Sequence, residues 1–117
     1  MDSPTLTNEV IQNIFFDLTN VVPERLHGDL DRIVLYGSCA RGDYHDDSDV
    51  DVALLTKCGR DGVKKYEDSI DEIATDLAMR YLAIVNFVLI PTEEFNQKKE
   101  WYPFFKSIEQ EGKTIYG

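Results

Sequence analysis

Apolar residues follow helical spacing in two stretches of the chain. In the first stretch they recur three or four positions apart after Thr7, a residue type that favours the N-cap of a helix. The predicted buried stripe of this helix consists of Val10, Ile11, Ile14, Phe15 and Leu18. A second amphipathic helix is predicted through Tyr66, Ile70, Ile73, Ala74 and Leu77. Residues 23–31 are predicted to form the loop that ends the first helix.

Three short apolar runs predict β-strands. Residues 32–36 form a β-branched and apolar run that Gly37 stops, which predicts a buried strand leading into a tight turn. A second strand is predicted from Asp49 to about Leu55. Residues 82–90 are apolar except for Asn86, which predicts a third strand buried on both faces. With further helices expected within residues 92–112, the element order predicts a small α/β fold around a short sheet.

Length and charge narrow the class of protein. The 117 residues fit a single domain, 1–117, and 22 acidic against 12 basic residues give a formal net charge of -10. Such a surface repels nucleic acid, so no broad nucleic-acid-binding face is expected. No apolar run is long enough to span a bilayer and the start of the chain lacks the basic region of a signal peptide, so we expect a cytoplasmic protein without a membrane partner.

Two aspartates in the second predicted strand are candidate metal ligands. Asp49 and Asp51 are two residues apart, so in a strand both side chains leave the same face, with Cα atoms roughly 6.5 Å apart. Two carboxylates placed in this way suit Mg²⁺, which takes further ligands from phosphate oxygens and water. The other acids of this region, Asp43, Asp46 and Asp47, are expected to be a solvated loop, and His45 is expected to be exposed.

The turn after the first strand is a candidate phosphate site. Gly37 allows a ligand to approach the backbone, and Ser38 offers a hydroxyl next to N–H groups that a following helical turn would point outward. Arg41 could contact a phosphate or pair with a neighbouring carboxylate. Near the C-terminus, Trp101, Tyr102, Phe104 and Phe105 are interpreted as helix packing on the sheet or as a partner-binding patch.

These residues form one motif: Leu35-Tyr36-Gly37-Ser38-Cys39-Ala40-Arg41-Gly42, followed by Ser48-Asp49-Val50-Asp51. The motif resembles the minimal nucleotidyltransferase (MNT) family of the DNA polymerase β-like superfamily. The resemblance covers residues 30–90, the family's core. It implies a short mixed sheet of three or slightly more strands flanked by helices. It further implies ATP or another NTP bound with Mg²⁺, Gly37 and Ser38 at the triphosphate, and metal ligation by Asp49 and Asp51. Arg41 and Ser48 are the other candidate nucleotide-binding residues.

The resemblance also implies a partner and a reaction. Such proteins are often encoded beside a helical HEPN protein, and several are antitoxins that transfer AMP to a tyrosine of that HEPN toxin. The sequence therefore predicts a Mg²⁺-dependent nucleotidyltransferase that acts on a hydroxyl of a partner macromolecule. Self-association into a homo-oligomer stays open.

One residue departs from the family pattern. Active members usually carry a third carboxylate on a later strand, where this chain has Asn86. An amide neither accepts a proton as a carboxylate does nor supplies full negative charge to a cation. Asn86 either occupies the place of the third acid or is a buried amide satisfied by its neighbours. The alternative function is therefore a catalytically degenerate module that binds a partner protein, with or without NTP.

Overall fold

A computed structural model describes residues 6–117 of the chain. Within these residues, four strands form one sheet: β1 (Leu30–Tyr36), β2 (Val50–Thr56), β3 (Val85–Pro91) and β4 (Lys113–Tyr116). The helices are α1 (Asn8–Leu26), α2 (Ser38–Arg41), α3 (Arg60–Val63), α4 (Glu67–Tyr81), α5 (Thr92–Lys98) and α6 (Pro103–Glu111). Short 3₁₀ turns at His27–Asp29 and Lys64–Tyr66 precede β1 and α4. The predicted α/β fold with a short sheet is confirmed, and β4 is a strand that the sequence patterns did not predict.

The sheet is mixed and has the strand order β3-β2-β1-β4. β1 runs antiparallel to both β2 and β4, whereas β2 and β3 are parallel and are connected through α3 and α4. The prediction that the third strand is buried on both faces was wrong. β3 is an edge strand that begins at Val85, three residues after Leu82 ends α4 in a left-handed conformation (φ 53°). Asn86 is exposed, and the next three residues of the strand are only partly buried.

Helices cover both faces of the sheet, and each face has its own core. On one face, α1 and α4 pack against alternate strand residues, among them Ile33, Val52 and Val85. On the other face, α5 and α6 pack through Phe95 and Phe105 against the intervening strand residues. The strand residues of this second core are Val34, Ala53, Leu55 and Ile90, with Tyr36 and Val88 partly buried beside them. The second core therefore occupies the sheet face that also carries odd-numbered residues of β2, including Asp51.

The first helix is longer than predicted. α1 passes through Pro23 and ends at Leu26, so the prediction of a loop from residue 23 was wrong. Proline removes one helical hydrogen bond. The last turn is nevertheless held in place, since Val22 and Leu26 continue the buried stripe and are both fully buried. Within the described residues, no helix is long and apolar enough to cross a membrane.

The predicted N-cap of α1 is confirmed. The Thr7 hydroxyl accepts a hydrogen bond from the Val10 backbone N–H at 3.2 Å. We expect Thr7→Ala to lower the free energy of unfolding by about 1 kcal/mol, because the Val10 N–H has no acceptor within the helix and loses the one that Thr7 supplies. Urea denaturation followed by circular dichroism measures this change. Thr7→Ser retains the acceptor and should stay close to the wild type; an equal loss in both variants would contradict the capping role.

Candidate functional site

The backbone at the end of β1 takes a conformation that requires glycine. Gly37 has φ 75° and ψ -158°, and the single turn α2 starts at the next residue. A Cβ atom at position 37 would lie 2.5 Å from Asp51 Oδ2. Gly37 is therefore needed both for the turn and for the close approach of the Asp51 carboxylate to the backbone. The predicted tight turn is confirmed.

The register of the sheet brings the polar candidates together. Tyr36 of β1 and Asn86 of β3 lie on either side of Asp51, directly opposite it in the two neighbouring strands. Asp49 stands immediately before β2. The Asn86 amide donates from Nδ2 to Asp49 Oδ2 at 3.0 Å and to Asp51 Oδ1 at 3.3 Å. Asn86 is exposed and bound to both carboxylates, so the interpretation of a buried structural amide was wrong.

The electrostatics of this cluster favour a positively charged ligand. The amide N–H₂ group lies between two carboxylates and is the donor that they share. Carboxylate and amide oxygens are hard ligands of the kind that Mg²⁺ accepts. Among residues 6–117, no group of three or more histidine, cysteine, aspartate or glutamate side chains is placed to hold a metal ion. The metal ligands that the site offers are thus the two carboxylates, with the Asn86 N–H₂ group as their shared hydrogen-bond donor.

Two further residues support the cluster, and the sequence patterns did not single them out. Burial, and then the nearby Asp51 carboxylate, raise the pKa of Tyr36 to about 12, so its phenol stays neutral beside the acids. The buried Cys39 thiol donates to the Asp49 backbone carbonyl at 3.6 Å, and burial raises the pKa of this thiol. Both residues stand inside the quoted motif, but only the register and the packing show what they contact.

Comparisons with known proteins decide the family. The family model for the nucleotidyltransferase domain matches residues 20–116. The chain is 30% identical over 100 residues to a Methanocaldococcus jannaschii protein named as a putative protein adenylyltransferase, covering 86% of this chain and 92% of the relative. A second protein of that organism with the same kind of name is 32% identical over 81 residues, covering 69% and 76%. This chain belongs to the nucleotidyltransferase family.

Solved structures share the fold of this nucleotidyltransferase. A complex of tri-AMPylated Shewanella oneidensis HEPN toxin with MNT antitoxin matches with a TM-score of 0.55 and 19% identity, covering 91% of this chain and 71% of the other. A toxin–antitoxin crystal structure with AMP-PNP matches with a TM-score of 0.54 and 22% identity, covering 96% and 74%. At these identities the likeness shows the fold. The family resemblance inferred from the motif is confirmed.

In this nucleotidyltransferase, the remaining candidates lie in the loop between α2 and β2 and at its edges. Arg41 pairs with Asp43 Oδ2 at 3.2 Å and with Glu111 Oε2 at 3.1 Å, and these carboxylates raise its pKa. Of the two roles considered for Arg41, the structure therefore shows pairing with neighbouring carboxylates. The Ser48 hydroxyl accepts from the His45 backbone N–H at 2.8 Å and so fixes the loop beside Asp49. His45 is exposed, and so are the loop acids Asp43, Asp46 and Asp47.

Two cavities open near the carboxylates. The first, of about 260 Å³, adjoins Asp49 and is bordered by the acidic loop and by apolar side chains that include Leu6 and Ile84. The second, of about 420 Å³, is the aromatic groove, which lies between the sheet and α5–α6. Its apolar lining consists of Val88, Ile90, Trp101, Tyr102, Phe104 and Phe105. The nucleotidyltransferase thus offers an acidic cavity at Asp49 and, separately, an aromatic groove on the sheet face that carries Asp51.

Proposed function

We propose that this protein is a Mg²⁺-dependent nucleotidyltransferase that moves a nucleoside monophosphate, AMP in the simplest case, from an NTP to a hydroxyl of a partner macromolecule. The observation that carries the proposal is the convergence of Asp49, Asp51 and Asn86 at one point of the sheet, next to the Gly37 turn. Membership of the family and the protein adenylyltransferase names of two relatives support the same reaction class. We place the reaction in the cytoplasm, where ATP is available.

The proposed reaction exchanges one phosphorus–oxygen bond for another. The acceptor hydroxyl oxygen forms a bond to the α-phosphorus, and the bond from that phosphorus to the oxygen shared with the β-phosphate breaks. Pyrophosphate leaves with the bonding electron pair. Because the Asn86 amide has no basic atom, the hydroxyl proton passes to solvent.

The chain's own residues have distinct parts in this scheme. Asp49 and Asp51 would hold Mg²⁺, with the Asn86 amide beside them, and a bound Mg²⁺ supplies positive charge against the transferring phosphoryl group. Gly37 and Ser38 would receive the outer phosphates, because Gly37 leaves the backbone accessible and the first N–H groups of a helical turn have no partner within that turn. Arg41 and Ser48 would position this site from the adjoining loop, Arg41 through its pairs with Asp43 and Glu111.

For the acceptor we propose a HEPN-type protein, which would make this chain the antitoxin of the pair. The fold is shared with an MNT antitoxin that was solved in complex with a HEPN toxin. The acceptor segment would approach from the cavity beside Asp49, whose walls combine acidic residues with exposed apolar side chains at Leu82 and Ile84. These walls favour a segment that carries basic and apolar side chains.

Transfer of radioactive label tests the proposed reaction directly. The protein is incubated with ATP labelled at the α-phosphate, Mg²⁺ and a candidate HEPN-type partner protein, and the products are separated on a denaturing gel. We expect label on the HEPN protein and none when the label is on the γ-phosphate, since pyrophosphate leaves. Label transfer that is independent of Mg²⁺, or absent with both nucleotides, would contradict the proposal.

Placing a carboxylate at position 86 distinguishes an active enzyme from a catalytically degenerate module that only binds its partner. We expect Asn86→Asp to raise the transfer rate roughly 10-fold or more, because an acid at this place can accept the hydroxyl proton and adds charge for the metal. The measurement is the initial rate of label transfer. Asn13→Asp, which makes the same charge change at an exposed position of α1, is the matched control and should leave the rate unchanged.

The alternative function is a degenerate nucleotidyltransferase module that binds its partner without chemistry. The observation that favours it is the amide at position 86, which leaves the site with two acids where active members usually carry three. This alternative predicts activity in Asn86→Asp and none in the wild type, together with unchanged affinity of both proteins for the partner. Turnover by the wild type would exclude it.

A further inference from the structure

We propose that the aromatic groove binds the base and ribose of the nucleotide, with Phe104 and Tyr102 as the residues that stack on the base. The proposal rests on the proposed function, because it assigns one part of the NTP to a surface next to the carboxylates. It goes beyond that function by naming the residues that distinguish a nucleotide from a bare polyphosphate.

The groove and the carboxylates share one face of the sheet. Asn86 and Val88 are two residues apart on β3, so their side chains point to the same side, roughly 6.5 Å apart along the strand. On the other side of Asp51, the Tyr36 ring contacts the Phe104 ring edge to face, with centroids 5.6 Å apart. The groove therefore begins where the carboxylate cluster ends. A nucleotide whose α-phosphate is at Asp51 can extend its sugar and base into the groove.

The aromatic side chains of the groove are not all used for packing. Phe105 is buried in the core beneath α6. Trp101, Tyr102 and Phe104 are in contrast 65%, 42% and 38% exposed. Of the two interpretations of this aromatic cluster, helix packing therefore describes Phe105, whereas the other three residues present aromatic surface to the groove. Nucleobases stack on such surfaces whatever their hydrogen-bonding edges.

The aromatic groove and the cavity beside Asp49 differ in the charge of the residues that line them. Besides Asp49, the latter is bordered by Asp46 and Asp47, two further acids that repel a ligand that carries phosphates. The charged residues of the aromatic groove are Arg60, Lys98 and Glu94, and Glu94 is paired with both cations at 2.7 and 3.1 Å. Two cations against one acid leave the groove with a formal charge of +1 on a chain of net charge -10. A nucleotide is thus repelled less on this side.

The size of the groove also suits this ligand. Its volume of about 420 Å³ falls within the range of roughly 300 to 1,000 Å³ that is common for small-molecule sites. A macromolecular acceptor does not need this groove, since the cavity beside Asp49 gives it a separate approach to one acid of the cluster.

The single tryptophan of the chain, Trp101, reports binding in the groove. We titrate the full chain with ATP and Mg²⁺ and, separately, with inorganic tripolyphosphate and Mg²⁺, following Trp101 fluorescence and measuring Kd by calorimetry. Both ligands are expected to bind, but only ATP should change the fluorescence. Phe104→Ala is expected to raise the Kd for ATP about 10-fold and to leave the Kd for tripolyphosphate unchanged.

Control variants keep the result interpretable. Phe16→Ala removes an aromatic side chain that is 70% exposed on α1, on the opposite face of the sheet, and should change neither Kd. Phe104→Leu keeps an apolar side chain at the same place, so it guards against misfolding, and its Kd for ATP should lie between those of the wild type and Phe104→Ala. Tyr102→Ala is expected to weaken ATP binding in the same selective way.

The two proposals fail in different ways. Binding of both ligands by the wild type, with equal effects of Phe104→Ala on both or on neither, overturns the base site and leaves the proposed function standing. Failure of both ligands to bind the wild type overturns the proposed function, and the base site with it. A Trp101 response to the HEPN partner but not to ATP assigns the groove to the partner and overturns the base site.

Discussion

Asp51→Asn is expected to lower the rate of nucleotidyl transfer by about 10³-fold. Asp51 contacts Asn86, lies opposite Tyr36 in the sheet and approaches the Gly37 backbone, so it is the central acid of the site. The substitution keeps the shape of the side chain and removes its charge, which weakens metal binding and the stabilisation of the transferring phosphoryl group. The measurement is the initial rate of label transfer from ATP at saturating Mg²⁺.

The matched control for this variant is Asp71→Asn. Asp71 is an exposed residue of α4, which packs on the opposite face of the sheet from the carboxylates, and the change in net charge is the same. We expect its transfer rate to equal that of the wild type. If Asp51→Asn retained more than about a tenth of the wild-type rate, with the control unchanged, Asp51 would not be the metal ligand that we propose.

Gly37→Ala is expected to lower the free energy of unfolding by about 2 to 4 kcal/mol and to abolish detectable transfer. The conformation at position 37, with φ 75° and ψ -158°, is open to glycine but costs other residues on the order of 1 to 3 kcal/mol. The added methyl group would also lie 2.5 Å from Asp51 Oδ2, so the carboxylate must move. Urea denaturation gives the first quantity and label transfer the second.

Gly28→Ala is the control for this backbone effect. Among residues 6–117, and apart from its two chain neighbours, a Cβ atom at position 28 would meet no heavy atom within 4 Å, and Gly28 has no positive φ. Its free energy of unfolding should stay within about 0.5 kcal/mol of the wild type. Equal losses in the two variants would show that any added methyl group disturbs the chain, and would remove the special role assigned to Gly37.

Local sequence patterns predicted the structure correctly where a residue type favours one particular backbone feature. Gly37 after an apolar run predicted the turn, and Thr7 before a helical stripe predicted the cap. The same patterns failed where distant residues decide. Pro23 does not end α1, because Val22 and Leu26 are buried against other elements. β4 was not predicted, since a short, largely exposed strand carries little alternation and forms only by pairing with β1.

Asn86 shows most clearly what local patterns could not decide. An apolar run with one amide is compatible with a central strand or an edge strand. Only the strand order β3-β2-β1-β4 puts β3 at the edge and exposes the amide. The parallel register of β2 and β3 then brings Asn86 opposite Asp51, within hydrogen-bonding distance of both acids.

The sequence by itself determined the class of fold, the family resemblance and the pair of acids, because a glycine turn and two same-face carboxylates depend on backbone geometry over a few residues. The tertiary structure decided which residues lie next to Asp49 and Asp51. Register between strands placed Asn86 and Tyr36 beside Asp51, and packing of α5 and α6 left an aromatic groove open on the same face. Asn86 is 35 or more positions away in the chain from the acids that it contacts. The spacing of residues within one helix or strand carries no information about contacts between separate elements.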